Sequence, residues 1–584
     1  MKNVEIVRIF REIAYLIQIA ENDPNTIYKV RAYERAADVI ENMSTELEEI
    51  YSKSGIKGLR KIPSIGNAIS SKIEEFIKLH KIAYHEELTT KVPINISEFY
   101  NLRGIGPMTL KILYEKLKIT SISQLEKAAS EGSIKRIKGF SKMKEDNIMK
   151  MIQLSKQNKG RYLLGDVYPL IKKIESRLRT EDSIIHCAIV GSFRRMKETI
   201  GDIDILVSTK EPEKVINFFV KMPEVAEIKG KGKTKAFVEL GNGIGVDLLV
   251  VPEESFGSAS QYFTGNKEHN ISLRNLAVSM GFHLNEWGLF TKKKRKIAGT
   301  NEQQIYNKLH LQLIPPELRE NRGEIEYFSN NQNEILGLVD YGDVKGDLHT
   351  HSDITDGTMS IKDMALQAKN KFGLDYIAIT DHTKSLRLAN GLNEKQLLEQ
   401  INKIQQLNDV INESKADTRF RILSSAEVNI LKDGTPDIAN NVLDKLDIVG
   451  ASIHSHFSLS KDIQTERLVE AAKNPSIDIL FHPTGRLINK RIGYSIDVEK
   501  IINTAYETKT VLEINSNYNR LDLRDEHIRL AVQNGVKLAI NSDAHHPVHF
   551  AYLLFGIGQA RRGWAKKLDI INTLKADTLL KVLK

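Results

Sequence analysis

The chain has 584 residues, which is too long for one hydrophobic core and predicts about four domains. Its 84 Lys and Arg residues outnumber its 75 Asp and Glu residues, and the resulting net charge of +9 favours a polyanionic partner. The single cysteine, Cys187, excludes internal disulfides, and no apolar run is long enough to cross a membrane, so we expect a soluble, cytoplasmic protein with no membrane partner.

The first 150 residues are predicted to be helical, because apolar residues recur at helical spacing in IVRIFREIAYLIQIA and YKVRAYERAADVIENM. Two glycine turns, IPSIGNAIS at residues 62–70 and LRGIGPMTL at 102–110, are each flanked by helical patterns. A single turn of this kind commonly just ends a helix. Two copies favour helix-hairpin-helix elements, in which backbone N–H groups near Gly66, Gly104 and Gly106 hold a DNA phosphate without reading bases.

The sequence GSFRRMKETIGDIDILV, at residues 191–207, combines a phosphate-binding turn with two carboxylates. An apolar strand-like run precedes it, and Gly191-Ser192 is typical of a helix start, which binds phosphate. Asp202 and Asp204 lie two residues apart on a predicted strand and therefore project from one face. Two unpaired carboxylates repel each other, so we expect a divalent cation, and oxygen ligands favour Mg²⁺ or Mn²⁺.

A third carboxylate is expected to complete this site. Asp247 is the only acid in the apolar strand-like run GIGVDLLVV, which makes it the best candidate. The alternative is that Asp202 and Asp204 mark an ordinary solvent-facing strand, since a DxD pattern alone is weak. Together with the glycine turn and the basic pair Arg194-Arg195, the three acids favour nucleotidyl transfer.

This segment resembles the nucleotidyltransferase core of the family X DNA polymerases, the polymerase beta-like group. The resemblance continues through YFTG at residues 262–265 and through PELRENRGEIE, which begins at Pro316. It implies that Asp202 and Asp204 bind both cations and that Asp247 binds the one that activates the primer 3′-hydroxyl. It also implies nucleotide or template contacts at Gly191, Ser192, Arg195, Gly201, Tyr262, Phe263, Gly265, Asn270 and Arg274.

The first helical domain is similar to the N-terminal domain of the same family. The match in RKIPSIGNAISSKIEEF places Lys72 at the position of the family's lyase nucleophile. Schiff-base chemistry requires a lowered lysine pKa, which the sequence does not reveal, and a lysine on a helix face is more often simply solvated. Two basic runs, at residues 229–235 and 291–296, are similarly open to two interpretations, as phosphate-tracking arms or as charged hairpin tips.

After residue 340 the chain becomes rich in histidine. In KGDLHTHSDITDG, at residues 345–357, His349 and His351 occupy alternate positions after an apolar strand, so both imidazoles project the same way. Further polar residues follow successive strand-like runs at His382, Glu427, His454, His482, Asp543 and His545. Strands that alternate with helices and end in such residues are typical of a β/α barrel with its site at the C-terminal mouth.

This set resembles the PHP (polymerase and histidinol phosphatase) domain. By that resemblance, His349, His351, Glu427 and Asp543 hold one metal. Glu427 bridges to a second metal held with His382 and His454, and a third metal is held by Asp356, His482 and His545. Imidazole with carboxylate suits up to three Zn²⁺ or Mn²⁺ ions, or iron, and supports phosphoester hydrolysis. His456, Asp381 and Arg486 are expected to support the ligands or contact phosphate.

The combined resemblance predicts a multidomain α/β protein with the domain order of bacterial and archaeal family X polymerases. The expected segments are a helical, lyase-like DNA-binding domain (1–85), helix-hairpin-helix fingers (86–150), a nucleotidyltransferase palm (151–255), a thumb (256–320), a linker (321–340) and a PHP domain forming a distorted β/α barrel (341–584).

The implied function is short-gap filling in base excision repair by a monomeric enzyme that uses gapped or primer-template DNA and deoxynucleoside triphosphates. The PHP domain would supply a 3′–5′ exonuclease and an AP endonuclease or 3′-phosphatase. Two alternatives remain: a small-molecule nucleotidyltransferase fused to a metabolite phosphatase, and a DNA-binding scaffold with an inert PHP site.

Overall fold

The computed structural model describes residues 2–583 apart from 22, 24–25, 42, 44–45, 95, 100–104, 158–159, 332–335 and 413–419. The chain forms two compact units, Met1–Lys159 with Asn489–Ile492, and Gly160–Ile488 with Gly493–Lys584. Gly104, a predicted DNA contact, lies outside the described residues. Within the described part of the chain, no helix combines the length and apolar character needed to cross a membrane.

The first unit is helical, as its apolar periodicity predicts. Its helices are α1 Lys2–Ala20, α2 Thr26–Glu41, α3 Leu47–Leu59, α4 Asn67–Leu79, α5 Ala83–Lys91, α6 Ile96–Phe99, α7 Pro107–Leu117, α8 Ile122–Ser130 and α9 Lys142–Gln157. In α1, Ile6, Phe10, Ile13 and Ile17 recur every three or four residues and are fully buried. This stripe forms the centre of a hydrophobic core that extends through the unit.

The two glycine turns lie directly before α4 and α7, with Gly66 and Gly106 as the N-cap residues. Both glycines have ordinary negative φ, and among the described residues no heavy atom lies within 4 Å of the position a Cβ would take. The backbone at each helix start is therefore open to close approach by another molecule. This arrangement agrees with the predicted helix-hairpin-helix geometry.

The second unit begins with a mixed sheet. Its elements are β1 Tyr162–Leu163, α10 Leu164–Leu178, β2 Ile184–Ile189, α11 Gly191–Arg194, β3 Thr199–Ile200, β4 Asp202–Thr209, α12 Pro212–Val220, β5 Val225–Lys231, β6 Lys235–Leu240 and β7 Gly245–Val251. The strand order is β2-β4-β7-β6-β5, with β4 parallel to β7 and the other pairs antiparallel. The predicted basic run 229–235 lies on the β5–β6 hairpin.

A smaller subdomain follows this sheet. It contains α13 Phe256–Thr264, α14 Lys267–Ser279, β8 Phe282–Asn285, β9 Gly288–Thr291, β10 Lys296–Ala298, α15 Glu302–Lys308 and α16 Glu324–Asn330. The second basic run occupies the turn between β9 and β10. The segment 321–340, expected to be a polar linker, contains α16. The first residue of this helix, Glu324, is buried, and its Oε1 lies 2.6 Å from His269 Nδ1.

The remaining residues form a barrel of parallel strands and outer helices. The elements are β11 Gly346–Thr350, α17 Ile361–Phe372, β12 Tyr376–Ile379, α18 Glu394–Ile411, β13 Arg421–Asn429, α19 Asn440–Leu443, β14 Ile448–Ser452, α20 Lys461–Lys473, β15 Ile479–Leu480, α21 Val498–Thr508, β16 Val511–Asn515, α22 Asp525–Gln533, β17 Leu538–Asn541, α23 Leu553–Arg562 and α24 Ala576–Leu583.

The seven barrel strands follow chain order and are parallel, and the ring nearly closes between β11 and β17. At this junction the His351 N–H donates to the Ala544 carbonyl (2.8 Å), and the Ala544 N–H donates to the His349 carbonyl (3.2 Å). Strands buried on both faces favour apolar residues, which explains the apolar runs of β12, β14 and β17. The predicted β/α barrel is therefore confirmed, with seven strands in place of the eight of a regular barrel.

Candidate active sites

Two neighbouring strands bring the three predicted polymerase carboxylates together. In the parallel β4–β7 pair, Asp204 stands opposite Asp247, and Asp202 stands opposite Gly245. Ile203 is fully buried between the two aspartates, as the alternating pattern predicts. Burial, together with the charges of Asp202 and Asp247, raises the pKa of the Asp204 carboxyl to about 6. A divalent cation would relieve this repulsion, and the all-oxygen donor set suits Mg²⁺ or Mn²⁺.

Lys235 balances part of the negative charge of the three aspartates. Its Nζ lies 2.9 Å from Asp247 Oδ1, although its side chain is 57% exposed. Lys235 belongs to the basic run 229–235, so this member of the run faces the carboxylate site. An exposed lysine can move aside at small energetic cost.

The turn after β2 requires glycine. Gly191 has φ +65°, and a Cβ at this position would lie 2.2 Å from Asp204 Oδ2. Helix α11, which begins here, is only four residues long, so its dipole supports an anion weakly. A phosphate at this turn would therefore be held mainly by its backbone N–H groups and by nearby basic side chains.

Gly191→Ala is expected to lower nucleotide incorporation by about a hundredfold or more, because a displaced Asp204 loses its catalytic placement. Gly230→Ala is a suitable control, since no heavy atom lies within 4 Å of the position of its Cβ. The measurement is primer extension by the two purified variants. Wild-type extension by Gly191→Ala would show that the close approach to Asp204 is not needed.

The two arginines of the turn have different partners. Arg194 forms a two-pronged ion pair with Glu302 (2.7 and 2.9 Å), which also pairs with the buried Arg319. Arg195 donates from Nε to Glu320 Oε1 at 2.9 Å and from Nη1 to the Thr264 carbonyl. Arg194 therefore anchors the turn to α15, whereas Arg195 lies beside the YFTG segment.

The YFTG segment ends α13. Tyr262 and Phe263 are half-buried in its last turn, and Gly265 leaves the helix at φ +69°. Asn270 fixes this end, because its Nδ2 donates to the Tyr262 carbonyl at 2.7 Å. Arg274 is exposed one turn later, with its Nε 3.3 Å from the Asn270 carbonyl. Ser192 is half-buried in the turn, and Gly201 directly precedes Asp202.

All nine predicted PHP ligands gather at the C-terminal mouth of the barrel. Their donor atoms form four groups, within each of which they lie within 4.8 Å of one another: His351, Asp356, His382 and His545; His349, Glu427 and His482; His349, His351 and Asp543; and His382, Glu427 and His454. Backbone strain accompanies this convergence, since His482 and Asp543 have φ of 30° and 55°. Such strain in non-glycine residues concentrates at functional sites.

The grouping differs in one respect from the one implied by resemblance. His482 was expected beside Asp356 and His545, but its Nε2 lies 2.9 Å from Glu427 Oε1. The reason is strand order: His482 follows β15, on the side of the barrel that carries Glu427. Asp356 and His545 follow β11 and β17, which meet where the barrel closes, and their Oδ2 and Nε2 atoms lie 3.4 Å apart.

The donor set fits divalent metal ions. Among the described residues, no hydrogen bond reaches the buried His349 Nε2, His382 Nδ1 or either ring nitrogen of His351. Burial, with the neighbouring His545 and His382, lowers the pKa of His351 to about 3, so its imidazole is neutral, the form that binds metals. Imidazole and carboxylate together suit zinc, manganese or iron, and the geometry does not choose among them.

Family models match four separate ranges of the chain. Matching family models are a helix-hairpin-helix domain at residues 1–82, a DNA polymerase beta palm at 166–231, a DNA polymerase beta thumb at 259–320 and a PHP domain at 347–517. The chain is also 35% identical over 575 residues to the DNA polymerase/3′-5′ exonuclease PolX of Bacillus subtilis (strain 168), covering 98% of this chain and 97% of that protein. This chain belongs to the family X DNA polymerases.

Two other relatives match parts of this family X polymerase. A probable phosphatase of Thermoanaerobacter sp. (strain X514) is 35% identical over 216 residues, which are 34% of this chain and 78% of that protein. DNA polymerase lambda of Arabidopsis thaliana is 25% identical over 351 residues, 54% of this chain and 62% of that protein. The predicted enzyme class, a DNA polymerase joined to a 3′–5′ exonuclease, is confirmed at the level of the family.

One residue that supports the PHP ligands was not predicted. Glu513, in β16, is fully buried, and its Oε1 lies 2.7 Å from His349 Nδ1. Its Oε2 accepts the backbone N–H of His482 at 2.7 Å. It therefore fixes both the ring of His349 and the backbone of His482. The sequence contains the pattern needed to predict Glu513, because it is a single acid in the apolar strand VLEIN. The same criterion, one acid in an apolar run, selects Asp247.

Glu513→Gln is expected to lower PHP-dependent primer shortening by about 10- to 100-fold, because a neutral amide orients His349 less firmly. Primer extension is expected to remain at the wild-type level. Glu399→Gln is the control, since Glu399 is exposed on α18 of the same domain. Equal shortening by the two variants would remove the orienting role of Glu513.

The three other residues predicted near the PHP site have separate surroundings. Asp381 accepts hydrogen bonds from Ser352 and Gln400 and so braces the loop after β11. His456 lines an open cavity beside Lys432. Arg486 was expected near phosphate, but its guanidinium instead contacts Glu198 of the palm, at 2.7 Å. Its Nε also donates to the Leu521 carbonyl, at 3.1 Å.

The predicted lyase lysine lies on α4. Lys72 is half-buried, and its Nζ is 5.1 Å from the centroid of the Tyr84 ring. The nucleophile role of Lys72, which the family resemblance implies, stays a prediction.

Proposed function

We propose that this family X polymerase fills short gaps in DNA during base excision repair and trims DNA 3′ ends with its PHP domain. The observation that carries the proposal is the presence in one chain of two distinct metal-ligand sets, a carboxylate set on β4 and β7 and an imidazole-rich set at the barrel mouth. The open helix starts at Gly66 and Gly106 support contact with the phosphates of gapped or primer-template DNA.

In the polymerase site, Asp202, Asp204 and Asp247 would hold Mg²⁺ or Mn²⁺. These ions would supply charge neutralisation at the α-phosphate and acidify the primer 3′-hydroxyl that attacks it. Ser192, Arg195 and Gly201 are proposed to bind the triphosphate of the incoming deoxynucleotide. Asn270 would keep the YFTG segment in place beside the nucleotide, because it holds the Tyr262 carbonyl.

In the PHP site, the nine clustered ligands would hold up to three Zn²⁺, Mn²⁺ or iron ions. Their contribution would be to acidify a water molecule and to neutralise phosphate charge during phosphodiester hydrolysis. Arg520, whose Nε lies 3.7 Å from Asp543 Oδ2, is half-buried beside the cluster and is proposed to contact the substrate phosphate. The similarity to a probable phosphatase favours removal of 3′-phosphates as a second activity, and AP endonuclease cleavage would use the same hydrolytic chemistry.

The test uses a duplex with a one-nucleotide gap and an internally labelled primer, incubated with Mn²⁺ and with or without deoxynucleotides. We expect extension when deoxynucleotides are present and shortening when they are absent. A second substrate with a 3′-phosphate primer tests phosphate removal, and an open primer-template tests the preference for gaps. If metal-loaded protein neither extends nor shortens any primer, a small-molecule nucleotidyltransferase fused to a metabolite phosphatase becomes the better hypothesis. We propose that the active species is a monomer.

A further inference from the structure

The PHP domain packs directly against the polymerase palm. Helix α23 contributes Phe555 to the hydrophobic core of the palm, and Leu521 joins the same core. A Cβ on Gly558 would lie 2.8 Å from Met196 Cε, so α23 closely approaches the residue next to Arg195. A Cβ on Gly165, in α10, would lie 2.1 Å from Tyr518 Cγ. The two domains are therefore fitted together without room for an added methyl group.

A carboxylate with 11% of its side chain exposed lies at this junction. Glu320 Oε1 accepts hydrogen bonds from Arg195 Nε (2.9 Å) and from Arg562 Nη1 (3.0 Å). Lys197 Nζ is 3.6 Å from Oε2. Although burial opposes ionisation, Arg562, Lys197 and Arg195 hold the pKa of Glu320 at about 2. Glu320 is therefore an anion shared between the polymerase turn and the PHP domain.

Arg562, the last residue of α23, is linked to Arg195 directly through its carbonyl and indirectly through Glu320. Its Nη1 donates to the Arg195 carbonyl at 2.9 Å as well as to Glu320. Its Nη2 donates to Asp525 Oδ2 at 2.6 Å, and only 2% of its side chain is exposed. Since Asp525 lies on α22, the guanidinium is held inside the PHP domain while it reaches the palm. Both the backbone of Arg195 and the anion that binds its side chain are thus fixed by one PHP residue.

We infer that Arg562 is a positioning residue of the polymerase nucleotide site, acting on Arg195 through Glu320 and through the Arg195 carbonyl. This inference rests on the proposed function, in which Arg195 binds the triphosphate. Helix α11 has only four residues, and the turn is held from outside by Arg194, which pairs with Glu302, and by Arg562, which donates to the Arg195 carbonyl. Without Arg562, the charge of Glu320 is balanced mainly by Arg195 and Lys197. Glu320 then competes with the triphosphate for the Arg195 guanidinium, and the carbonyl anchor is lost.

The test is single-nucleotide insertion on primer-template DNA by wild-type protein, Arg562→Met, Arg195→Met and the double variant. We expect Arg562→Met to raise the KM for deoxynucleotide about tenfold, which corresponds to about 1.4 kcal/mol. The accompanying fall in kcat is expected to be smaller, because the lost interaction serves nucleotide binding. If Arg562 acts mainly through the Arg195 side chain, the double variant has a KM close to that of Arg195→Met, and any remaining difference measures the carbonyl contact, which Arg195→Met retains.

Two further variants separate positioning from a general loss of structure. Arg421→Met is the matched control, because Arg421 also contacts two carboxylates of the PHP domain, Asp577 at 2.9 Å and Asp447 at 3.6 Å, away from the palm. It is expected to leave the KM unchanged. Arg562→Lys can keep a contact with Glu320 but not the whole fork, so an intermediate KM is expected. Primer shortening and affinity for DNA are expected to be unchanged in all of these variants.

The outcomes distinguish the inference from the function on which it rests. A wild-type KM in Arg562→Met, alongside a raised KM in Arg195→Met, would overturn the role of Arg562 and leave the proposed nucleotide site intact. Fully additive effects in the double variant would likewise show that Arg562 does not act through the Arg195 side chain. If Arg195→Met leaves the KM unchanged, the proposed triphosphate contact itself is refuted.

Discussion

Replacing Asp204 with asparagine is expected to lower nucleotide incorporation by about a thousandfold, because loss of one cation ligand removes several kcal/mol of stabilisation from the transition state. Asp204 faces Asp247 across the β4–β7 pair, so no other residue can take its place in the register. The measurement is single-turnover extension of a labelled primer in a gapped duplex with Mg²⁺. Primer shortening in the absence of deoxynucleotides is expected to continue.

Asp182→Asn is the control for this variant, since Asp182 is an exposed aspartate of the same palm. An Asp204→Asn enzyme that retains more than a tenth of the wild-type rate would contradict the assignment. Loss of shortening as well as extension would instead indicate that the substitution disturbs the whole second unit.

The same substitution has a predicted effect on stability. Burial and two neighbouring carboxylates raise the pKa of Asp204 to about 6, so its ionised form is disfavoured in the folded protein. The raised pKa lowers the free energy of unfolding. This loss is absent below the ordinary aspartate pKa and complete above pH 6, where it amounts to about 3 kcal/mol at most. In cation-free buffer at pH 8, Asp204→Asn is therefore expected to melt at a higher temperature than wild type. A lower melting temperature would contradict this electrostatic account.

Glu427→Gln is expected to reduce primer shortening by about a thousandfold, because the central carboxylate ligand of the PHP cluster becomes a neutral amide. Glu427 is 1% exposed and faces a set of imidazoles. The nearest ring nitrogens are those of His482 at 2.9 Å, His382 at 3.0 Å and His454 at 3.3 Å. Gap filling is expected to be unaffected, and elemental analysis should show less bound metal.

Glu470→Gln provides the comparison, since Glu470 is an exposed residue of α20 in the same domain. Full shortening activity in metal-loaded Glu427→Gln would exclude this cluster as the nuclease site. Retained metal with lost shortening would place the role of Glu427 in the reaction itself.

Much of both sites was predictable because local patterns determine which way a side chain points. Alternation on a strand placed Asp202 and Asp204 on one face, and apolar runs ending in His or Asp marked the mouth of the barrel. The same reasoning applied to Glu513 would have identified the support for His349. Reasoning from local patterns did not predict the partner of Arg486. Its position next to a ligand loop gives no information about its contact with Glu198, which lies 288 residues earlier in the chain.

The sequence by itself predicted the domain order, the barrel, the pairing of carboxylates on β4 and β7 and the nine candidate PHP ligands that the structure brings together, because each depends on short-range periodicity or on motifs of a known family. Only the tertiary structure decided which ligands share a group, that Arg194 and Arg195 have different partners, and that Arg562 reaches the polymerase turn. These features depend on contacts between residues far apart in sequence, such as Arg195 and Arg562, whose guanidinium groups meet at Glu320. No local sequence pattern predicts this contact, because it forms only when α23 packs against the palm.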